Sequence, residues 1–256
     1  MTSKISSQTN PPQADAVTVD SQWKSLYKIG GAAALIVVLV ALLEVIITFF
    51  PGGGRTEPSG ITVIDWFTLF QNNWFLGLRN LGLLNIIITT LGIPAFFALF
   101  GAHRRINITY AALAMVISFI GVAVFLATNR AFSMLDISSQ YAAATSDAQR
   151  AMLAAAGQAM LSVGQSHTPG TFLGFFLSEV AGIIISIVML RGKVFSKVNA
   201  YLGILGFGLL LIFETCSSFV PALFNVAMLF AMSGGLLNMA WYILIARRFF
   251  QLGHSR

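Results

Sequence analysis

Six long apolar stretches constrain the fold of this chain more than any other feature of its sequence. An α-helix needs about 20 mainly apolar residues to cross a bilayer, and each stretch has close to that length or more. They cover residues 29–50, 76–100, 108–128, 172–190, 198–219 and 223–246. They are continuously apolar, whereas the strands of a membrane β-barrel alternate apolar and polar residues. The sequence therefore predicts an all-α, polytopic membrane protein with a bundle of six transmembrane helices.

Composition and charge support the same fold class. Hydrophobic residues make up 57% of the chain and charged residues 9%, which leaves too few polar side chains to cover a soluble protein of this size. The net charge of +6 does not indicate a nucleic-acid partner, because the basic residues form no stripe with interleaved aromatic residues. Eleven of the 15 basic residues instead fall on one side of the predicted bundle. Since cytoplasmic segments carry the excess of Lys and Arg, we expect both termini in the cytoplasm.

The segments outside the predicted spans have distinct characters. Residues 1–28 are polar and are predicted to be a disordered cytoplasmic tail, and residues 251–256 form a second short tail. Residues 51–75 mix apolar and polar residues and suit a segment that lies in the membrane interface. In the longest connection, Met152, Ala156 and Met160 recur at helical spacing. This pattern predicts an amphipathic helix over residues 147–164. We expect this helix to lie flat on the outer side of the bundle, with the stripe of Met152, Ala156 and Met160 packed against an apolar surface.

Three of the four glutamates lie inside predicted spans, namely Glu44, Glu179 and Glu214. At a rise of 1.5 Å per residue, each lies about 8 to 10 Å from the outer end of its span. Three helices thus present a carboxyl group at one level. Ionisable side chains at such depth are costly, and they are usually paired or functional. Because three carboxylates repel one another where water is scarce, we expect at least one to be protonated or matched by a cation.

Arg79 and Asn85 begin the second predicted span on the same side as the glutamates. Together with Glu44, Glu179 and Glu214 they form a candidate polar cavity that opens to the outside, with Arg79 as its fixed cation. A structural interpretation is equally open. A helix rich in Leu, Ile, Val and Phe inserts even with one glutamate, so hydrogen bonds and an ion pair could simply lock the bundle together.

Small residues line one face of two predicted spans. Gly174, Ser178 and Gly182 follow at every fourth position of the fourth span, and Ala231 and Gly235 do so in the sixth. Such stripes let neighbouring helix backbones approach closely, so we assign them to helix packing. No strand precedes these glycines and no phosphate-binding pattern surrounds them, so we expect no cofactor.

The metal-binding residue types are sparse. Cys216 is the only cysteine, and His103, His167 and His254 fall in predicted loops or in the tail. No two histidines share the spacing on one helix that metal ligation needs, so we expect no metal site. The same distribution argues against a zinc hydrolase or a serine protease within the membrane, although carboxylates alone could serve as acid and base.

Part of the chain resembles a known family. The likeness runs from about Leu76 to Leu211 and includes the long outer connection with residues 141–157, the fourth span, and the segment KVNAYLG at 197–203 that opens the fifth. These features resemble a family of bacterial six-helix membrane proteins that is catalogued only as a domain of unknown function. The resemblance implies a six-helix architecture and a location in the bacterial inner (plasma) membrane, and it carries no catalytic signature.

Three functions remain open at the level of sequence. The first is binding or transport of a small solute or of protons through an outward-facing acidic cavity. The second is a non-catalytic accessory or assembly role, in which the buried glutamates are structural and the small-residue faces bind another copy or a membrane partner. The third is an intramembrane enzyme. In each case the bilayer is the main partner of the chain.

Overall fold

The computed structural model describes residues 13–49 and 61–254, with side chains over residues 23–48 and 61–254. The helices in these ranges are α1 (Gln13–Phe49), α2 (Val63–Asn72), α3 (Trp74–Asn80), α4 (Leu83–His103), α5 (Ile108–Thr128), α6 (Ala131–Ala143), α7 (Asp147–Gly164), α8 (Phe172–Arg191), α9 (Lys197–Phe219) and α10 (Phe224–His254). A short 3₁₀ turn, Pro221–Leu223, precedes α10, and the described residues contain no strand. Six segments are long and apolar enough to cross a membrane. The predicted fold class is therefore confirmed.

The six spanning helices α1, α4, α5, α8, α9 and α10 form a closed ring. Each packs against two others, in the order α1, α4, α5, α8, α9, α10 and back to α1. Successive spans cross in opposite directions, so every helix runs antiparallel to both of its neighbours. The ring therefore has one centre and two ends, and each end gathers the connections on its side.

Four shorter helices, α2, α3, α6 and α7, form a cap over one end of the ring. They share an apolar core of their own, made by Val63, Trp66, Phe67, Phe70, Leu78, Leu81, Ala131, Met134 and Leu161. The Ser138 hydroxyl of α6 donates to the Phe67 carbonyl of α2 at 3.0 Å. Helix α2 begins with a capping box in which the Asp65 N–H donates to the Thr62 hydroxyl oxygen and the Thr62 N–H donates to the Asp65 carboxylate. The Thr62 hydroxyl also donates to this carboxylate and holds the pKa of Asp65 below its usual value. The cap is thus a small packed unit joined to the ring.

The half of the ring away from the cap contains a tightly packed apolar core. Leu99, Ile185, Trp241 and Phe249 are among its fully buried side chains. The rings of Phe207 and Trp241 meet edge to face, with 5.1 Å between their centroids. The buried glutamates lie in the other half, beneath the cap, together with two of the cavities.

The second span differs from the prediction at its start. The chain breaks between α3 and α4 at Gly82, whose φ of +95° lies in the left-handed region that glycine adopts without strain. The Asn129 side-chain amide donates to the Leu81 carbonyl at 2.8 Å and fixes this break. The span therefore begins at Leu83 rather than Leu76, and Arg79 belongs to α3 in the cap.

Helix α7 has the predicted bounds but buries a different face. Its buried residues are Leu153, Gly157, Leu161 and Gly164, whereas Met152 of the predicted stripe is 64% exposed. Glycine allows this face to approach α2 closely, because a Cβ atom at Gly157 would lie 2.6 Å from the Phe67 ring of α2. Helix α7 accordingly packs against α2 and α6, within the cap.

The predicted tails are shorter than expected where the structure describes them. Helix α1 begins at Gln13, within the segment 1–28 that was predicted as a disordered tail. Residues 1–12 of that segment lie outside the described residues. Near the start of α1 the Trp23 ring packs edge-on against Phe97, with 5.9 Å between centroids, and the Arg104 guanidinium lies 4.3 Å above it. Helix α10 extends to His254, beyond the predicted end of its span at 246, and so includes most of the second tail. Helix α6 was not predicted, and residues 51–60 of the predicted interfacial segment lie outside the described residues.

Candidate functional site

Two neighbouring cavities occupy the centre of the ring beneath the cap. The larger has a volume of about 350 Å³ and lies among α1, α4, α9 and α10. The smaller has a volume of about 140 Å³ and lies among α4, α5, α8, α9 and α10. Both are lined by Asn85, Ile88, Leu210, Asn238 and Tyr242. These shared residues form a partition between the two cavities.

The larger cavity opens to the side, between α1 and α10. These two helices pack closely away from the cap, where the rings of Tyr27 and Phe249 stack with 6.0 Å between centroids. Nearer the cap the cavity lies between them, and its lining residues Val45 and Met232 are 44% and 53% exposed. The lipid-facing sides of α1 and α10 therefore border this opening.

The walls of the larger cavity are mostly apolar. They are formed by Val37, Ala41, Val45, Ile88, Leu210, Met228, Ala231, Met232, Gly235 and Met239. Polar groups come from Glu44 and Thr48 of α1, together with the shared side chains Asn85, Asn238 and Tyr242. An apolar chamber with a few polar groups is typical of sites for small organic ligands.

Glu44 at the larger cavity is paired with Arg79 of the cap. The Arg79 Nη2 and Glu44 Oε1 atoms are 3.1 Å apart, and Arg79 Nε donates to Glu44 Oε2 at 3.2 Å. The guanidinium also donates to the Glu44 carbonyl at 3.2 Å, to the Thr48 hydroxyl and to Asn80 Oδ1 at 2.9 Å. The Arg79 side chain is fully buried. This network holds α1 to α3 and compensates the charge of Glu44.

Glu214 has a different partner, the imidazole of His167, which the sequence did not predict. The His167 Nδ1 and Glu214 Oε2 atoms are 2.6 Å apart, and the Ser218 hydroxyl donates to Glu214 Oε1 at 3.3 Å. His167 lies in the connection from α7 to α8 and has a φ of +59°, which is uncommon for a residue other than glycine. Its ring is stacked 4.9 Å from Phe175 and lies 4.8 Å from Phe213, so the imidazole is fixed above Glu214.

Glu179 of α8 lines the smaller cavity. It is 8% exposed, and its Oε2 atom is buried without a hydrogen bond from any residue that the structure describes. Its carboxyl group interacts electrostatically with that of Glu214 on the neighbouring helix α9. Buried polar atoms are hydrogen-bonded in the great majority of cases, so this oxygen is the most unusual buried group of the site.

The predicted polar residues are thus divided among three places. Glu44 and Asn85 line the larger cavity, Asn85 and Glu179 line the smaller one, and Arg79 reaches Glu44 from the cap. Glu214 lines neither cavity. Asn238 and Tyr242 were not predicted as site residues, although a polar Asn inside an apolar span was a usable signal. Their place on the partition follows from how α10 packs into the ring.

The two small-residue stripes differ in the structure. On α8, a Cβ atom at Gly174 would lie 2.9 Å from Phe125, and one at Gly182 would lie 2.5 Å from the Phe207 ring. Ser178 lies beside Gly121 of α5. On α10 the predicted packing residues Ala231 and Gly235 instead line the larger cavity, and a Cβ atom at Gly235 would meet nothing within 4 Å.

The close contact of α10 with α9 is made one residue away from the predicted stripe. A Cβ atom at Gly234 would lie 2.9 Å from the Gly206 carbonyl oxygen. The prediction of a packing role for Gly235 is therefore corrected, because the adjacent glycine faces α9 and Gly235 faces the open side of the ring.

Comparisons with known proteins give no family assignment. No protein-family model, curated protein or solved structure matches the chain. The resemblance to a bacterial six-helix family stays a prediction, and functional inference rests on the geometry of the two cavities.

Proposed function

We propose that this multi-pass membrane protein binds or transports a small, mainly apolar molecule in its larger cavity. The observation that carries the proposal is a chamber of about 350 Å³ that opens between α1 and α10 and has polar groups at its inner end. Ligand sites of proteins commonly have volumes of about 300 to 1,000 Å³. The lateral opening suits a molecule that dissolves in the bilayer and enters from there.

The polar groups of the cavity favour a ligand with an uncharged polar end. The charge of Glu44 is already compensated by Arg79, so the cavity offers no unmatched charge to a ligand. Asn85, Asn238 and Tyr242 can each donate and accept hydrogen bonds. The apolar wall includes Met228, Met232 and Met239, whose flexible side chains adapt to irregular shapes. A long-chain alcohol or a similar amphiphile has the matching chemistry.

A cavity-filling variant tests this proposal. Gly235 lines the larger cavity, and a Cβ atom there meets nothing within 4 Å, so Gly235→Leu places its side chain in the chamber. Gly208→Leu is the matched control, because Gly208 also has open space but lines neither the larger nor the smaller cavity. The probe is a long-chain alcohol that carries a photoreactive diazirine, added to the protein in lipid nanodiscs.

We expect saturable labelling of α1 and α10 that excess unlabelled alcohol removes, because the site holds a limited number of molecules. Mass spectrometry of peptides locates the label. Gly235→Leu should lose the saturable labelling and Gly208→Leu should keep it. Equal labelling of the two variants, or labelling spread over all lipid-facing helices without saturation, contradicts the proposal.

An accessory or assembly role is the second candidate, and one observation favours it. Glu44 is paired with the Arg79 guanidinium and Glu214 with the His167 imidazole, as a structural role of the buried glutamates requires. Under this alternative the larger cavity stays empty of ligand and a second protein is retained in stoichiometric amount when the chain is purified from its membrane. Absence of saturable labelling from the wild-type protein and from both variants, together with a co-purified partner protein, would favour the accessory role.

We also propose that the end of the ring opposite the cap faces the cytoplasm of a bacterial cell, with the chain in the plasma membrane. The basic residues Arg104, Arg191, Lys197 and Arg248 lie at that end, at the termini of α4, α8, α9 and α10. The excess of basic residues on the cytoplasmic side of membrane proteins supports this orientation. The bacterial location rests on the resemblance alone.

A further inference from the structure

The three buried glutamates are not equivalent, because two of them are paired with a basic side chain. Glu44 is paired with Arg79, and Glu214 is paired with His167. Within residues 23–48 and 61–254, no donor reaches Oε2 of Glu179, although this side chain is equally deep in the ring. Glu179 is therefore the carboxyl group for which the fold supplies no compensating charge.

The smaller cavity around Glu179 has mainly apolar walls with several uncharged polar side chains, and its lining carries no fixed positive charge. From α4 and α5 the smaller cavity receives Asn85, Thr89 and Ser118, and from α10 it receives Asn238 and Tyr242; no Lys or Arg side chain is among its lining residues. Helix α9 contributes the nearby carboxyl group of Glu214, whose own partner is the His167 ring. Glu44 and Arg79 are on the far side of the partition, at the larger cavity.

We propose that Glu179 binds a proton in the smaller cavity, and this inference does not depend on ligand binding in the larger one. An ionised carboxylate loses most of its solvation when buried, and a neighbouring carboxylate adds repulsion. Addition of a proton to Oε2 removes both costs and converts the unpaired acceptor into a donor. The step forms one O–H bond and transfers no electrons.

The cavity has the room and the groups to pass this proton on. Its volume of about 140 Å³ is well above the roughly 10 to 15 Å³ that one water needs. The hydroxyls of Thr89 and Ser178 already donate to the backbone carbonyls of Asn85 and Gly174. Their oxygen atoms can therefore accept hydrogen bonds from the protonated carboxyl or from water. Glu179 has the features of a proton-binding site inside a membrane helix bundle.

Infrared difference spectroscopy on the purified protein in lipid nanodiscs tests the proposal directly. A pH step on the full-length chain should produce a C=O stretching band of a protonated carboxyl group that shifts in D₂O. Glu179→Gln keeps the shape of the side chain and should lose this band. Glu44→Gln is the control at a carboxyl paired with Arg79, and it should retain the band.

A second variant covers the case in which Glu179→Gln does not fold. Gly92 lines the smaller cavity and a Cβ atom there meets nothing within 4 Å, so Gly92→Leu displaces water while it leaves the carboxyl in place. Exchange of the band into D₂O should slow in Gly92→Leu but not in Gly208→Leu. The proposal is overturned if folded wild-type protein shows no such band at any pH, or if Glu179→Gln retains the band. It is also overturned if addition of Na⁺ at constant pH produces the same spectral change as the pH step, or if the band exchanges equally fast in Gly92→Leu and Gly208→Leu.

Discussion

Arg79 is a fully buried cation in an ion pair whose partner Glu44 keeps 16% of its side-chain exposure. Burial makes such a pair costly to form from water, and it makes the pair more costly to break. Removal of one member leaves an uncompensated charge in a poorly solvated place, which typically costs about 3 to 5 kcal/mol. An ion pair at the surface contributes about 0 to 1 kcal/mol because water screens it.

This contrast gives a prediction with an internal control. Arg79→Gln should destabilise the protein by about 3 kcal/mol, since it leaves the Glu44 carboxylate without its cation. Arg150→Gln should cost less than about 1 kcal/mol, because Arg150 and its partner Asp147 are exposed at the surface of the cap. Thermal unfolding in detergent micelles measures both. Equal losses in the two variants would mean that the buried pair adds no more stability than a surface contact.

At the scale of residues, the sequence predicted part of the site and missed part for physical reasons. Arg79 was predicted on the same side of the bundle as Glu44, as the cation of one polar cavity, and the structure pairs the two residues. The pair of His167 and Glu214 could not be predicted, because the two residues are 47 positions apart and His167 belongs to no periodic element. Its position is set by the path of the chain through α6 and α7 back to α8, which is a property of tertiary packing.

The contact between α5 and α8 depends on glycine at the point where the two helices cross. A Cβ atom at Gly174 would lie 2.9 Å from the Cβ and 3.0 Å from the backbone N and Cα of Phe125. Backbone atoms cannot move aside as a flexible side chain can. The crossing therefore tolerates no additional carbon atom unless the helices separate.

We accordingly expect Gly174→Ala to lower stability, by about 1 to 3 kcal/mol as overpacked sites do. Gly208→Ala is the matched control, because open space surrounds Gly208 and alanine favours a helix over glycine by up to about 1 kcal/mol. Unfolding of both variants in the same detergent measures the difference. A Gly174→Ala protein as stable as the Gly208→Ala protein would show that the helices separate at this crossing without loss of stability.

At the scale of elements, apolar length was a better guide than the periodicity of short segments. The spans were predicted from length, and the start of α4 was misplaced because the chain is mainly apolar on both sides of Gly82, although Arg79 and Asn80 precede the break. In α7 the Met152 stripe looked like the packing face, but Gly157 allows the closest approach of α2 and so determines which face is buried. Contacts made by glycine carry no hydrophobic signal, and periodicity does not detect them.

The whole molecule combines a ring, which the sequence largely predicted, with a cap that it did not. Each spanning helix satisfies its own backbone hydrogen bonds in lipid, so its apolar length is enough to predict it. Helices α2, α3 and α6 have 10, 7 and 13 residues, and helices this short are marginal in isolation. They gain stability from the apolar core that they share with α7, which links positions far apart in the sequence.

The orientation of the molecule in its membrane is the remaining property at this scale, and cysteine labelling tests it. Ala151 on α7 of the cap and Lys193 at the other end are both exposed, so a cysteine at either position is accessible from its own side. In a background with Cys216→Ala, Ala151→Cys should react with a membrane-impermeant maleimide in intact cells, and Lys193→Cys should react only after the cells are opened. The reason is the excess of Lys and Arg at the end opposite the cap, which membrane proteins retain in the cytoplasm. Labelling of Lys193→Cys alone in intact cells would invert the orientation, place the cap in the cytoplasm and show that charge does not set the orientation of this chain.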